Sequence, residues 1–164
     1  MGGYNLLPAA AIAVGLGLLA MFQQQSQAVP GAGIVGQADA LAATRAQQTE
    51  RYAVACFNAA EASPGLVSSS IVVNPSIVNG ATVAAPSGAG CMSTSAGGGT
   101  RNVYGYSTGV PGEAAQVVSD SGQSAAWLRV TSAGQATSLV SGSTIAVPAS
   151  IGVGSLVNAV QVNP

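Results

Sequence analysis

The chain has 164 residues, 48% of them hydrophobic but only 4% aromatic and 5% charged, with a formal net charge of −1. That length holds one domain and a terminal appendage, since a domain takes ~100 to 200 residues. Four arginines (Arg45, Arg51, Arg101, Arg129) with no lysine or histidine exclude the clustered positive charge that nucleic-acid binding or a polybasic membrane patch requires.

Residues 1–38 carry no charged side chain, and the run LLPAAAIAVGLGLLAMF from Leu6 to Phe22 is apolar throughout. A membrane-spanning helix needs ~20 apolar residues, so a short single-pass anchor is expected over residues 1–22, with Tyr4 and Gln23 at the interfaces. The rival reading is a cleaved signal peptide, because Ser26-Gln27-Ala28 supplies the small residues of a cleavage site; the missing basic n-region favours the anchor. Either way the remainder is expected outside the cytosol. Ala9, Ala13 and Gly17 recur at a spacing that lets another helix approach closely, although an alanine-rich span yields such spacing by chance.

Gln23 to Gly36 reads as a hinge. Its end, Gly31 to Gly36 (GAGIVG), matches the letters of the dinucleotide fingerprint, but no strand of a βαβ unit precedes it, so the run is a flexible joint and no cofactor is expected. A helix is predicted from Gln37 to Ala62. Leu41, Ala42, Thr49, Tyr52, Ala53, Cys56 and Ala60 fall on one face and Gln47, Glu50, Arg51, Asn58 and Glu61 on the other. The Leu41/Tyr52/Cys56 face should pack on a sheet, with Arg45 snorkelling at its margin. Ser63-Pro64-Gly65 stops the helix.

Residues 66–73 (LVSSSIVV) predict one strand or two short ones, punctuated by Asn74-Pro75 and Asn79-Gly80. Ala84 to Gly99 reads as a loop pinned at Cys91. Arg101 to Ser107 alternates as a strand with Tyr104 and Tyr106 on one face, and a short helix follows Pro111, from Gly112 to Asp120, with Glu113 in its first turn. The last third repeats short β-forming runs at 125–131, 136–140, 144–147 and 155–162, joined by turns brief enough to predict an antiparallel meander. The expected fold is α+β: a periplasmic domain over 37–164 in which a long helix packs on a small antiparallel meander, a pilin-like architecture.

Cys56 and Cys91 fit no metal-ligand spacing. With an export segment, their even count favours a disulfide, two buried free thiols being the alternative. Ser95 to Thr100 (SAGGGT) lacks the lysine of a phosphate-binding loop, and no histidine or lysine is present to activate a serine. Asp39, Glu50, Glu61, Glu113 and Asp120 could form a catalytic pair only by converging in a cleft. Three of them sit on the polar side of one helix, so a solvated face is expected. No catalytic, cofactor or metal site is predicted. Trp127, Leu128 and Val130 anchor the last third, and Tyr104, Tyr106 and Trp127 are candidates for either core or interface.

The sequence resembles the PilM family of the conjugative, plasmid-type thin pilus system, which is unrelated to the actin-like cytoplasmic protein of that name. The resemblance covers nearly the whole chain. It rests on the helix with Arg51-Tyr52, Asn58 and its Ser/Pro exit, the Val103-Tyr104 and Tyr106 strand, the Pro111-Gly112 turn, and the closing Val147-Pro148, Ile151 and Gly154 to Val157. It implies a non-catalytic, structural inner-membrane component of a type IV pilus basal body or pilin assembly apparatus. Its partners would be other pilus or conjugation proteins, the inner membrane and further copies of itself.

Overall fold

The computed structural model describes residues 33–73, 77–78, 81–82 and 84–163. The anchor over 1–22, the possible cleavage site and most of the 23–36 hinge lie outside the described residues. Among the described residues no helix is long and apolar enough to cross a membrane.

Helix α1 runs from Ile34–Glu61, so the last three residues of the expected hinge are its first turn. Ala42, Ala46, Thr49, Ala53, Cys56 and Ala60 recur at helical spacing and are all buried. Leu41, one residue off that stripe, is 58% exposed, which corrects its assignment to the packed face. Small side chains bring the helix close to the sheet: a Cβ on Gly105 would stand 3.0 Å from the Ala53 Cα. Gly105 is therefore selected by proximity.

A small hairpin, β1 (Ile77–Val78) and β2 (Ala81–Thr82), stands apart from the main sheet. That sheet contains β3 (Gly90–Gly97), β4 (Thr100–Thr108), β5 (Trp127–Ser132), β6 (Gln135–Ser138), β7 (Thr144–Ala146) and β8 (Ser155–Val162), in the order β3-β4-β8-β5-β6-β7 with every pairing antiparallel. Helix α2 (Glu113–Asp120) connects β4 to β5. The α+β class and the long helix on an antiparallel sheet are as the sequence predicts.

Three expectations change. Ala84 to Gly99 is not all loop, because Gly90 onward forms β3. Its small, polar residues carry little strand preference of their own, and pairing with β4 from Gly90↔Tyr106 to Gly97↔Thr100 imposes the conformation. Residues 66–73 form no regular strand; they make one bridge, Ser68↔Ser93, and the Ile71 N–H donates to the Cys91 carbonyl. Finally, β5, β6 and β7 form a meander, but β8 inserts between β4 and β5. Burial explains that placement: Leu156 packs on one face and Val157 on the other, as suits a central strand. All three residues of β7 are exposed, as suits an edge.

The sheet has two buried faces. On one, Met92, Tyr104, Leu128, Val130, Ala136, Val147, Ile151 and Val157 form a core as the sheet curls over itself. On the other, Ala46, Ala53, Val117, Trp127 and Leu156 form one cluster and Cys56, Ala60, Ile71, Cys91 and Val103 a second. Cys56 and Cys91 are disulfide-bonded, with Cα atoms 5.5 Å apart, tying α1 to β3.

Candidate functional site: a mostly apolar cleft beside Glu50

The contact between α1 and the sheet is stitched by polar groups the sequence does not reveal. Arg101 of β4 is 2% exposed, and its guanidinium donates to the carbonyls of Ser63 (2.8 Å), Leu66 (3.0 Å) and Ala60 (2.5 Å). No basic residue lies in the last turn of α1, so this strand arginine brings positive charge to the helix end, as a second donor to the Ala60 carbonyl and to two carbonyls of the exit turn. At the first turn of α2 the cap residue, Gly112, has no side chain to offer. Glu113 turns away from the helix instead, one oxygen accepting from the Val110 N–H of the preceding turn at 2.9 Å and the other from the Thr49 hydroxyl at 2.6 Å. The Thr49 hydroxyl also lies 2.9 Å from that of Ser107.

One residue further along α1 the pattern reverses. Glu50, Ala53, Val54 and Phe57 of α1, Ser121 at the end of α2, Trp127 of β5, and Asn158 and Val160 of β8 line a cleft of about 440 Å³. That size lies within the ~300 to 1,000 Å³ of ordinary ligand pockets, which combine apolar walls with a few polar groups. The Glu50 Oε1 and the Ser121 Oγ are both buried without a hydrogen-bond partner among the described residues. Burial raises the Glu50 pKa above the ordinary carboxylate value, and the nearby Asp120 raises it further.

The five acidic residues therefore divide. Asp39, Glu61 and Asp120 are exposed, as a solvated face predicts. Glu113 is fully buried, and Glu50 is half-buried at the cleft, which corrects the assignment of Glu50 to the solvated face. Among the described residues no cluster of His, Cys, Asp and Glu could hold a metal ion. The cleft sets a carboxylate and a hydroxyl beside apolar walls, a lining suited to binding. Of the aromatic candidates, Tyr104 and Trp127 are core residues, 6% and 4% exposed, and Tyr106 packs half-buried against the inner core. Trp127 nevertheless contributes to the cleft wall.

No protein-family model matches the chain, no characterised protein shows significant similarity to it, and no solved structure matches it significantly.

Proposed function

We propose that this protein is a structural, non-catalytic inner-membrane component of a conjugative type IV pilus basal body or pilin assembly apparatus, with its disulfide-bonded domain in the periplasm. The observation that carries the reading is the Cys56–Cys91 disulfide. Such bonds persist in oxidising compartments, which fits export directed by the apolar run from Leu6 to Phe22. The resemblance to the PilM family supplies the apparatus.

A pilin-like subunit is the second reading, favoured by the long helix α1 on an antiparallel sheet. Against it, Pro8 stands where pilins keep a glutamate after their processed glycine, here Gly3. A secreted binding protein with a cleaved signal is the third.

Cell fractionation, intact mass and thiol labelling test these together. An uncut chain in the inner membrane, with both cysteines resistant to alkylation until reduced and cross-links to pilus proteins, is the expected outcome. Loss of residues 1–28 would indicate the secreted protein, and loss of Met1 to Gly3 the pilin. A cytosolic chain with two reactive thiols would overturn all three.

A further inference from the structure

We infer that the cleft beside Glu50 is a docking pocket for a basic side chain, an arginine or a lysine, presented by an apolar-flanked segment of a partner protein. The cleft has two characters side by side. Val54, Phe57, Trp127 and Val160 give it apolar walls, which suit the aliphatic stem of a long side chain. Glu50 and Ser121 also line it, each with a buried oxygen that has no hydrogen-bond partner among the described residues. An unpaired buried acceptor costs stability unless something donates to it. A second carboxylate, Asp120, acts on Glu50. Like charges brought together this way favour a cation over a neutral or anionic group. A guanidinium or ammonium group on an alkyl stem suits all of these features at once: it pairs with the half-buried Glu50 carboxylate, offsets the negative charge of Glu50 and Asp120, and lays its methylenes along the walls.

A free amine would satisfy the polar groups alone. A protein segment is favoured by the cleft's size and exposure: Val54 in its lining is 53% exposed, and a volume of about 440 Å³ is larger than one cationic group fills. Apolar neighbours of the inserted side chain would cover it. This inference rests on the proposed contact role only for the identity of the partner, since the pocket itself can be tested in isolation.

The sole tryptophan of the chain lines the cleft, so its emission reports occupancy directly. The full chain in a neutral detergent is titrated with short blocked peptides of three kinds. Each carries a central residue between leucines: arginine, its uncharged isostere citrulline, or glutamate. Saturable change in Trp127 emission with the arginine peptide is expected, with binding at least ten-fold weaker for citrulline and absent for glutamate. Glu50→Gln should weaken arginine-peptide binding about ten-fold, the equivalent of one charge-assisted hydrogen bond, while circular dichroism and the thermal midpoint stay at or above those of wild type. Equal binding of the arginine and citrulline peptides would overturn the claim of a cation site. So would unchanged affinity in a folded Glu50→Gln variant, or no saturable response to any peptide. Hexylammonium binding as tightly as the arginine peptide would make the occupant a small amine and overturn the protein-segment assignment. None of these results depends on where the protein resides, so failure of the pilus reading and failure of the pocket remain separable.

Discussion

Glu113 and Glu50 both reach the contact between α1 and the rest of the domain, and the fold treats them in opposite ways. Glu113 has partners on both carboxylate oxygens, the Val110 N–H and the Thr49 hydroxyl. Glu50, next to Thr49 in sequence, buries an oxygen with no partner among the described residues and faces the like charge of Asp120. A helix whose small residues fit closely against a sheet has room for a satisfied polar link at one position. At the next, the residue is turned toward a cleft. The first arrangement holds the domain together, and the second leaves unspent hydrogen-bonding capacity for something outside it.

The satisfied region should therefore lose stability when cut, in proportion to what each link restrains. Reducing the Cys56–Cys91 bond, or replacing both cysteines by alanine, should cost about 3 to 4 kcal/mol from the chain entropy of the freed loop, read as a lower urea midpoint in the oxidised-against-reduced pair. Arg101→Met removes a charged donor from the Ala60, Ser63 and Leu66 carbonyls, each of which keeps one other donor, and should cost about 3 kcal/mol, at roughly 1 kcal/mol for each lost bond. Glu113→Gln is milder, about 1 to 2 kcal/mol, because one acceptor remains while a charge-assisted bond is lost. If the Arg101 and Glu113 variants melt like wild type, the polar stitching is ornamental and the contrast with Glu50 disappears.

Much of this architecture is legible in the sequence, and the gaps have physical causes. Helix α1 is readable because alanines, Thr49, Tyr52 and Cys56 recur at helical spacing, and the disulfide because two cysteines accompany an export-like segment. Strand β3 is hidden because Ser, Gly and Ala adopt its conformation only when β4 holds them there. The insertion of β8 is hidden because short turns suggest neighbours in order, whereas two-sided burial of Leu156 and Val157 decides the position. The site residues are the least legible. A lone glutamate reads as solvated, and only packing shows that Ser121, Trp127 and Asn158 enclose Glu50. Arg101 likewise gives no sign in a strand of alternating residues that it meets the end of a helix elsewhere in the chain.

The smallest predicted effect is also the one that separates the two carboxylates most sharply, since the same substitution should act with opposite sign. Burial and Asp120 hold the Glu50 pKa above its ordinary value of 4.5. Between that value and the raised one, the folded state binds more protons at this site than the unfolded chain does. Stability must then fall as pH rises through the window, and the deficit persists above it. Glu50→Gln removes both the desolvated charge and the repulsion, so its stability curve should rise relative to wild type from about pH 5 upward. Asp120→Asn, which removes only the lesser cause, should give a smaller gain. Ser121, Trp127 and Asn158, the other cleft residues around Glu50, add no charge of their own. Urea midpoints for wild type and both variants, taken from about pH 4 to 8, test this through differences alone, because background titration of the other carboxylates cancels. Parallel curves, or a Glu50→Gln protein less stable than wild type at neutral pH, would mean that Glu50 is a satisfied structural group like Glu113, and the cleft would lose its one strained charge.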